Sequence, residues 1–416
     1  MTIAALVARL GVGPRAGWIL IDQAISSLTN LTLSVLVARS VDVNAFGAFT
    51  IAYTLYIFVV EFMTAMVLQP LIIRYSGVPR PQLEGAAGSA CGLSLVGGLV
   101  ALLILVVSAL ALEPLTGGPV IALAVTLPGL LLQNACRYTF FAAGKAQGAA
   151  LNDLLWGLTQ LAVGLVAPVF IGPSPGLFIA IWGVAGSLAG VVGLIQLTVR
   201  PRFTTAASWL LKHRDIAPRL VLEFLVESGA LNFTLLAVGA ISGLAGLAAL
   251  NAARVLLGPL GVLFLAGSSI LVTEGARLRD RQDHRLLSAV RASGLLLTAA
   301  AVGWGLALLL MPPELGSALL GESYALGRSV LTTLTLFWGA LGAIHAARAG
   351  LRILAKADRS LRAQLMMAPV TVLGGVLGAR IGGAHGAAAG LALVTVGGVF
   401  LWWFTFEGAA REYEQV

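Results

Sequence analysis

Besides a longer run at 154–199, five stretches of this chain contain no Asp, Glu, Lys or Arg over at least 22 consecutive positions. An α-helix of about 20 mostly apolar residues is long enough to cross the hydrocarbon core of a bilayer. Soluble proteins do not usually contain so many uncharged segments of that length. The stretches therefore predict a chain that crosses a membrane several times, and they comprise residues 85–112, 114–136, 228–253, 292–313 and 381–406.

The composition supports a membrane protein. Charged residues make up 11% of the chain, and its mean hydropathy is +0.95. About a quarter of the residues of a soluble domain are charged, so this chain could not cover its own surface in water. The same numbers exclude disordered and fibrous classes, and two cysteines, Cys91 and Cys136, do not form a disulfide framework.

Applied to the whole sequence, this criterion predicts an all-α polytopic protein with about twelve transmembrane helices. The uncharged run 154–199 is too long for one crossing, and Gly172-Pro-Ser-Pro-Gly176 divides it, because Pro and Gly interrupt helices. The predicted spans are 17–38, 46–70, 87–112, 119–137, 150–171, 177–198, 220–241, 244–272, 287–311, 327–347, 363–380 and 385–406.

The positive charges are divided unequally between alternate loops. With both termini inside, 22 of the 26 Lys and Arg residues fall on the cytoplasmic side. Only Arg39, Arg328 and Arg380 fall outside, and Arg254 lies within a span. Short cytoplasmic loops collect Lys and Arg, so the net charge of +8 indicates orientation and not nucleic-acid binding. Arg outnumbers Lys 23 to 3, which suggests a GC-rich bacterial source and the bacterial cytoplasmic (inner) membrane.

The chain divides near its middle into two predicted six-helix lobes. Residues 1–199 form the first lobe, 200–219 a basic cytoplasmic linker and 220–416 the second lobe. Asn-Leu-Thr-Leu at residues 30–33 and Asn-Phe-Thr-Leu at 232–235 occupy the first helix of each lobe, 202 residues apart. An even number of helices in each half predicts a pseudo-twofold axis along the membrane normal.

Small residues recur at four-residue spacing in several predicted spans. Gly88-xxx-Gly92 is one case, and Gly374, Gly378, Gly382, Gly386 and Gly390 form a longer series. Glycines at this spacing let helix backbones approach closely, so they predict helix packing.

Arg254 is the most informative polar residue, because an ionisable group inside a span is costly and therefore a functional candidate. It lies about eight residues, or roughly 12 Å, from the outer end of its helix. Asn251 is one turn away. The pair is expected to contact an anion in a central cavity; the alternative is a structural ion pair with an acid on a neighbouring helix.

Polar residues also share one face of the first and fifth helices. Asp22, Ser26 and Asn30 have helical spacing in the first, and Asn152 and Gln160 in the fifth. These faces are expected to line the same substrate cavity. Hydrogen bonding between helices is the alternative.

Three acids are candidates for coupling transport to an ion gradient. Asp22, Glu61 and Glu227 lie in or beside predicted spans, where a carboxylate could carry a proton or bind Na⁺. They could equally balance Arg254 or the inner arginines. No histidine has metal-ligand spacing, and the sequence contains no phosphate-binding loop, dinucleotide fingerprint or nucleophile elbow. We therefore expect no catalytic residues, no metal and no cofactor.

Three short motifs carry a resemblance to a known family. They are Ala38-Arg39 followed by a polar turn and Phe46-Gly47; Arg137-Tyr138 through Ala142 and Gly144; and Arg254-Val-Leu-Leu-Gly-Pro259. Together with the helix count, they resemble the polysaccharide repeat-unit flippases (O-antigen and oligosaccharide flippases) of the multidrug/oligosaccharidyl-lipid/polysaccharide exporter (MOP) superfamily, which also contains the multidrug and toxin extrusion (MATE) transporters.

The resemblance implies alternating access by two lobes around a cavity that accepts a polyprenyl-pyrophosphate-linked glycan. Arg254 would contact the pyrophosphate or an acidic sugar, since a planar guanidinium pairs bidentately with phosphate oxygens. Arg137 and Lys145, which flank the fourth and fifth helices, and Arg39 at a helix end could attract the anionic headgroup, and a simply solvated face is the alternative. The expected partners are the lipid-linked glycan, membrane lipids, a glycan polymerase and glycosyltransferases, with no nucleic acid and a monomeric chain.

Two other functions compete with this one. The first is a MATE-type ion-coupled exporter of small molecules or drugs, which would use Asp22 or Glu61 and would not need Arg254. The second is a membrane glycan polymerase or ligase. Such enzymes commonly present a large outer loop with catalytic Arg or His residues, whereas the longest outer connection here, 312–326, is short and contains no His. A transporter that is not an enzyme is therefore expected.

Overall fold

The computed structural model describes residues 14–280 and 285–414, and that part of the chain is helical without any strand. Eleven of its helices are long and apolar enough to cross a membrane. The prediction of an all-α multi-pass protein with about twelve spans is confirmed. Both ends of the chain lie outside the described residues. The helices are α1 Pro14–Ser40, α2 Val43–Tyr75, α3 Arg80–Ala109, α4 Pro114–Ala142, α5 Ala146–Ile171, α6 Pro175–Leu197, α7 Ala206–Lys212, α8 Ala217–Leu257, α9 Pro259–Asp280, α10 Arg285–Leu310, α11 Pro313–Leu320, α12 Ser323–Ile353 and α13 Ala357–Glu414.

The longest helix, α13, is two antiparallel spans joined at a glycine pair. Gly382 and Gly383 leave the helical conformation, and Gly383 has a φ of +58°, which favours glycine. On either side of this break the glycine series comes face to face: a Cβ added to Gly378 would lie 2.1 Å from the carbonyl oxygen of Gly386. The series therefore packs one span against the next, as predicted, but as two facing halves and not as one stripe.

A second glycine break divides α8. Gly243 has a φ of +75° and separates the residues before it from a second segment that ends at Leu257. Gly258 keeps helical angles, so this second segment continues towards α9. The breaks at Gly243 and Gly382-Gly383 lie where the sequence predicted the seventh and eleventh spans to end.

The chain forms two compact units. One comprises Met1–Val41 and Ala48–Leu225, and the other comprises Asp42–Gly47 and Val226–Val416. The predicted linker, 200–219, does not stand apart from the units but folds onto the first one. The Arg202 amide donates to the Gly88 carbonyl at 2.8 Å. Gly92 permits this approach, because a Cβ there would lie 2.4 Å from the Arg202 carbonyl oxygen.

Within the first unit, the loops that the charge pattern placed on the cytoplasmic side meet at one end. Ser76, Lys145 and Val199, from three successive inner connections, line one cavity of about 300 Å³. Two outer connections also meet, since a Cβ at Gly176 would lie 3.6 Å from the Gly118 carbonyl carbon. The alternation of loops agrees with the predicted spans of this unit.

The core of the second unit lies between α10, α12 and the last part of α13. Val290, Ile344, Leu351 and Phe406 are buried together there. Gly350 accommodates the Phe406 ring, because a Cβ at this position would lie 2.4 Å from a ring carbon. Close packing of large rings on glycine fixes the register of these helices.

Candidate functional site

A buried ionic cluster joins three spans of the first unit. Arg137 on α4 donates from Nε to Asp22 Oδ2 on α1 at 2.8 Å and from Nη2 to the same oxygen. The Arg137 Nε also lies 3.4 Å from Asp153 Oδ2 on α5. The carboxylates of Asp22 and Asp153 are 0% and 2% exposed. Two carboxylates and one guanidinium carry a formal excess of one negative charge.

Amide side chains extend the cluster to a fourth span. Gln133, one turn before Arg137 on α4, donates to Asp153 Oδ1 at 2.7 Å and to Asn152 Oδ1 at 3.3 Å. Asn152 in turn donates to the Ala189 carbonyl of α6 at 2.8 Å. The buried network therefore holds α1, α4, α5 and α6 in one register.

Three buried oxygens of this region have no hydrogen-bond donor among the described residues. They are Asp22 Oδ1, Asp153 Oδ2 and Gln160 Oε1, of which Asp153 Oδ2 has only its ion-pair contact with Arg137. The Gln160 amide nitrogen is engaged, because it donates to the Thr29 carbonyl of α1 at 3.1 Å. Buried acceptors without donors, beside an excess negative charge, suit a proton or a small cation. No cluster of three His, Cys, Asp or Glu suited to a heavier metal occurs in the described part of the chain.

The polar faces predicted on the first and fifth helices are turned towards each other. Asp22, Asn152 and Gln160 are buried and bonded to other helices, which was the alternative left open by the sequence. Ser26 and Asn30 are half-buried. The lining of a substrate cavity by these five residues stays a prediction.

The three basic residues expected to attract a headgroup occupy different environments. Lys145 and Arg39 are exposed, whereas the Arg137 side chain is only 17% exposed and is bound to Asp22. Sequence reasoning did not single out Gln133 and did not pair Arg137 with Asp22. The i, i+4 spacing of Gln133 and Arg137 on one face of α4 is the signal that could have found the first.

Arg254 is half-buried in the second unit, and Asn251, one turn before it, is 9% exposed. The start of α12 packs here, since a Cβ at Gly327 would lie 3.1 Å from the Ala253 nitrogen. The next residue, Arg328, donates to the carbonyls of Leu309 and Met311 at 2.9 and 3.0 Å. Arg254 therefore lies level with the first turns of α12.

The remaining predicted coupling acids lie in or beside π-helical segments, which are rare and frequently occur at functional sites. Glu61 is half-buried and precedes the π segment Thr64–Leu68 of α2. Glu227 lies within the π segment Leu225–Gly229 and forms an ion pair with Arg348. Glu227 thus balances an inner arginine, as the alternative interpretation held. Ion coupling through either acid stays a prediction.

Comparison with solved structures identifies the fold. The chain superimposes on an inward-facing multidrug resistance MATE family transporter of the MOP superfamily with a TM-score of 0.72, 15% identity and coverage of 96% of this chain and 99% of the other. A MATE in complex with MaL6 gives a TM-score of 0.63 at 15% identity, with coverage of 96% and 95%. A MOP superfamily transporter from Pyrococcus furiosus, described as having a binding pocket of reversed polarity, gives 0.58 at 15% identity, with coverage of 95% and 94%.

By sequence, no family model and no curated protein matches the chain. The structural superpositions nevertheless show that the chain has the fold of the MATE transporters of the MOP superfamily over nearly its whole length. At 15% identity, this similarity defines the fold and leaves the cargo open.

Proposed function

We propose that the chain is an alternating-access transporter that flips a polyprenyl-pyrophosphate-linked oligosaccharide or polysaccharide repeat unit across the bacterial cytoplasmic membrane. The observation that carries this proposal is Arg254, a half-buried guanidinium in an otherwise apolar helix segment, with Asn251 buried one turn away. The sequence motifs shared with polysaccharide flippases and the MOP-type fold support it.

The chemistry of Arg254 suits this cargo. A guanidinium offers two parallel N–H donors to phosphate oxygens, and charge-assisted hydrogen bonds strengthen where water is scarce. A neutral asparagine beside it adds donors and acceptors for a sugar. In this proposal the protein acts as a monomer with both termini in the cytoplasm and performs no covalent chemistry. Membrane lipids surround it, and glycosyltransferases and a glycan polymerase act before and after it.

The test compares Arg254→Met and Arg254→Lys with Arg362→Met, which removes an exposed arginine from the same unit. We expect Arg254→Met to lower surface glycan at least about tenfold, as expected for the loss of a charge-assisted hydrogen bond. Arg254→Lys should retain part of the export, and Arg362→Met all of it. Surface glycan is measured with a lectin and the membrane level of each variant by immunoblot. Normal export by a well-expressed Arg254→Met variant excludes the proposed contact.

A cation-coupled exporter of small molecules is the second candidate, favoured by the cluster of Asp22, Arg137 and Asp153. Its excess negative charge is costly away from water, and binding of a proton or a small cation would relieve that cost. The network joins four helices, so a change in its charge could alter their packing. Coupling of this kind is compatible with a lipid-linked glycan or with a small molecule as cargo. Transport assays must therefore distinguish the flippase from the exporter.

Proteoliposomes with an imposed pH gradient test the second candidate. We expect Asp153→Asn to lose at least about tenfold of the gradient-driven transport, while Asp358→Asn, an exposed acid in the other unit, behaves as wild type. Each preparation is assayed with a cationic dye and with a fluorescent polyprenyl-pyrophosphate glycan. Transport of the dye without the glycan decides for the exporter, and transport of the glycan alone decides for the flippase. Unchanged gradient dependence in Asp153→Asn rules out coupling through this cluster.

A further inference from the structure

The segment 203–213 forms the roof of a cavity in the first unit. The cavity, here called the linker cavity, has a volume of about 390 Å³. Its floor comes from the end of α2 and the start of α3, and its roof from α7 and the residues before it. Besides Thr205, the polar residues that line it are Tyr75, Gln82, Ser89, Ser208, Trp209 and Lys212.

Both ends of the roof are fastened to the floor. On one side, the Thr205 hydroxyl donates to the Ser89 hydroxyl at 2.9 Å. On the other, Arg74 donates to the Lys212 carbonyl at 2.9 Å and forms an ion pair with Asp215. The cavity is thus held open by directed contacts and is not a gap beneath a loose loop.

Trp209 supplies a donor that the protein leaves unused. Its side chain is 4% exposed and lines the cavity, yet its indole N–H has no partner among the described residues. The ring is stacked on Tyr75, with 5.7 Å between centroids and an interplanar angle of 23°. A buried tryptophan usually has an acceptor for this N–H. The lack of an acceptor here indicates a place for the oxygen of a ligand.

The charge around the cavity is positive. The Lys212 ammonium lies 5.3 Å from the centre of the Tyr75 ring, at the wall of the cavity. Arg202 does not line the cavity but lies nearby, since a Cβ at Gly85, which lines the cavity, would lie 3.6 Å from its Nη1. None of the described residues that line the cavity is Asp or Glu. Burial lowers the pKa of the adjacent His213, whose Nδ1 lies 2.8 Å from the Trp209 carbonyl oxygen, so this ring is neutral at pH 7.

We propose that the linker cavity binds a phosphate group, carried either by a small phosphorylated solute or by the headgroup of an anionic phospholipid. Its oxygens would accept from the Trp209 indole, the Lys212 ammonium and the Gln82 amide. A phosphate held there cross-links α7 to α2 and α3 and so fixes the segment that leads into α8. This site is separate from Arg254 and does not depend on which cargo is transported.

A cysteine reporter tests occupancy in the full-length protein. Ser208→Cys places an exposed thiol at the cavity, while the native Cys91 and Cys136 are buried and contribute little background. The rate of maleimide labelling is followed against glycerol 3-phosphate in detergent, with sodium chloride at equal ionic strength as the control. In a second arm the protein is placed in nanodiscs of phosphatidylcholine with or without phosphatidylglycerol.

We expect saturable protection of the reporter by a phosphate in at least one arm and none by chloride. Protection by the solute alone or by the lipid alone identifies the source of the phosphate, and either result supports the site. Trp209→Phe keeps the stacked ring but removes the N–H, and Lys212→Gln removes the charge. Each should weaken binding about tenfold, the loss expected for one hydrogen bond to a charged group.

Arg214→Gln is the matched control, because it removes an exposed charge from the same segment without touching the cavity, and it should bind as wild type. Gel filtration checks that all variants are folded. The proposal is overturned if neither arm gives saturable protection. It is also overturned if a folded Trp209→Phe/Lys212→Gln double variant binds phosphate as tightly as the wild type.

Discussion

Arg137 supplies the positive charge opposite two carboxylates that are almost fully buried. Removing an ion from water costs several kcal/mol, and a buried pair offsets that cost only through close contacts and further hydrogen bonds. Here Gln133 supplies one such bond to Asp153. We therefore expect the guanidinium to stabilise the first unit, whatever part the cluster has in transport.

Replacing Arg137 by Met is expected to lower the free energy of unfolding by about 3–5 kcal/mol, because it leaves two uncompensated carboxylates. Unfolding of the purified protein is followed by heat or denaturant in detergent. The triple variant Asp22→Asn/Arg137→Met/Asp153→Asn should recover much of the loss. Equal stability of Arg137→Met and wild type would show that the cluster does not hold the helices together.

The sequence predicted which residues share a face but not which residues meet. Helical spacing was enough to place Asp22 with Ser26 and Asn152 with Gln160. The pairing of Arg137 with Asp22, 115 positions away, depends on how α1 and α4 pack, and a shift of one residue in either helix would change it. Gln133, in contrast, could have been found from its i, i+4 spacing to Arg137 within α4.

At the scale of elements, the spans were predictable, whereas the packing of the linker on the first unit was not. A span needs about 20 apolar residues, and the predicted ends of the seventh and eleventh spans, 241 and 380, lie close to the breaks at Gly243 and Gly382-Gly383. The sequence indicated a basic cytoplasmic linker at 200–219, and its charge pattern gave no sign that its first residues pack on Gly88 and Gly92. Two glycines four residues apart can pack against a non-helical segment as well as against a helix. Their spacing alone does not indicate which of the two partners is present.

The glycine contact inside α13 gives a test at this scale. A Cβ added to Gly386 would lie 2.0 Å from the Gly378 carbonyl oxygen, so Gly386→Ala must push the two spans apart. We expect a loss of about 1–3 kcal/mol in the free energy of unfolding, as for other overpacked sites. Gly397→Ala, at a position with no atom within 4 Å of the added Cβ, is the matched control. Similar stability of the two variants would contradict the close approach.

At the scale of the molecule, fold and orientation rest on different features. The fold is shared with MATE transporters at only 15% identity, so it depends on the pattern of apolar spans and breaks and tolerates changes at most individual residues. Orientation depends on where Lys and Arg lie in the loops. In the first unit, the structure gathers inner and outer connections at separate places, as this pattern requires.

Cysteine accessibility checks the orientation. We expect Ser174→Cys and Glu314→Cys to react with an impermeant maleimide added to intact cells, and Ser76→Cys and Asp358→Cys to react only after permeabilisation. All four positions are exposed, and Cys91 and Cys136 are buried. Labelling of Ser76→Cys from outside would reverse the assigned topology.

The docking of residues 200–213 has a mechanical consequence. A free tether of the 20 residues 200–219 could reach about 70 Å and would let its two attachments move almost independently. The contacts with α2 and α3 remove nearly all of this conformational freedom. The end of α6 and the start of α8, which this stretch connects, both belong to the first unit. The fastened linker is therefore a fixed part of that unit and not a long flexible connection.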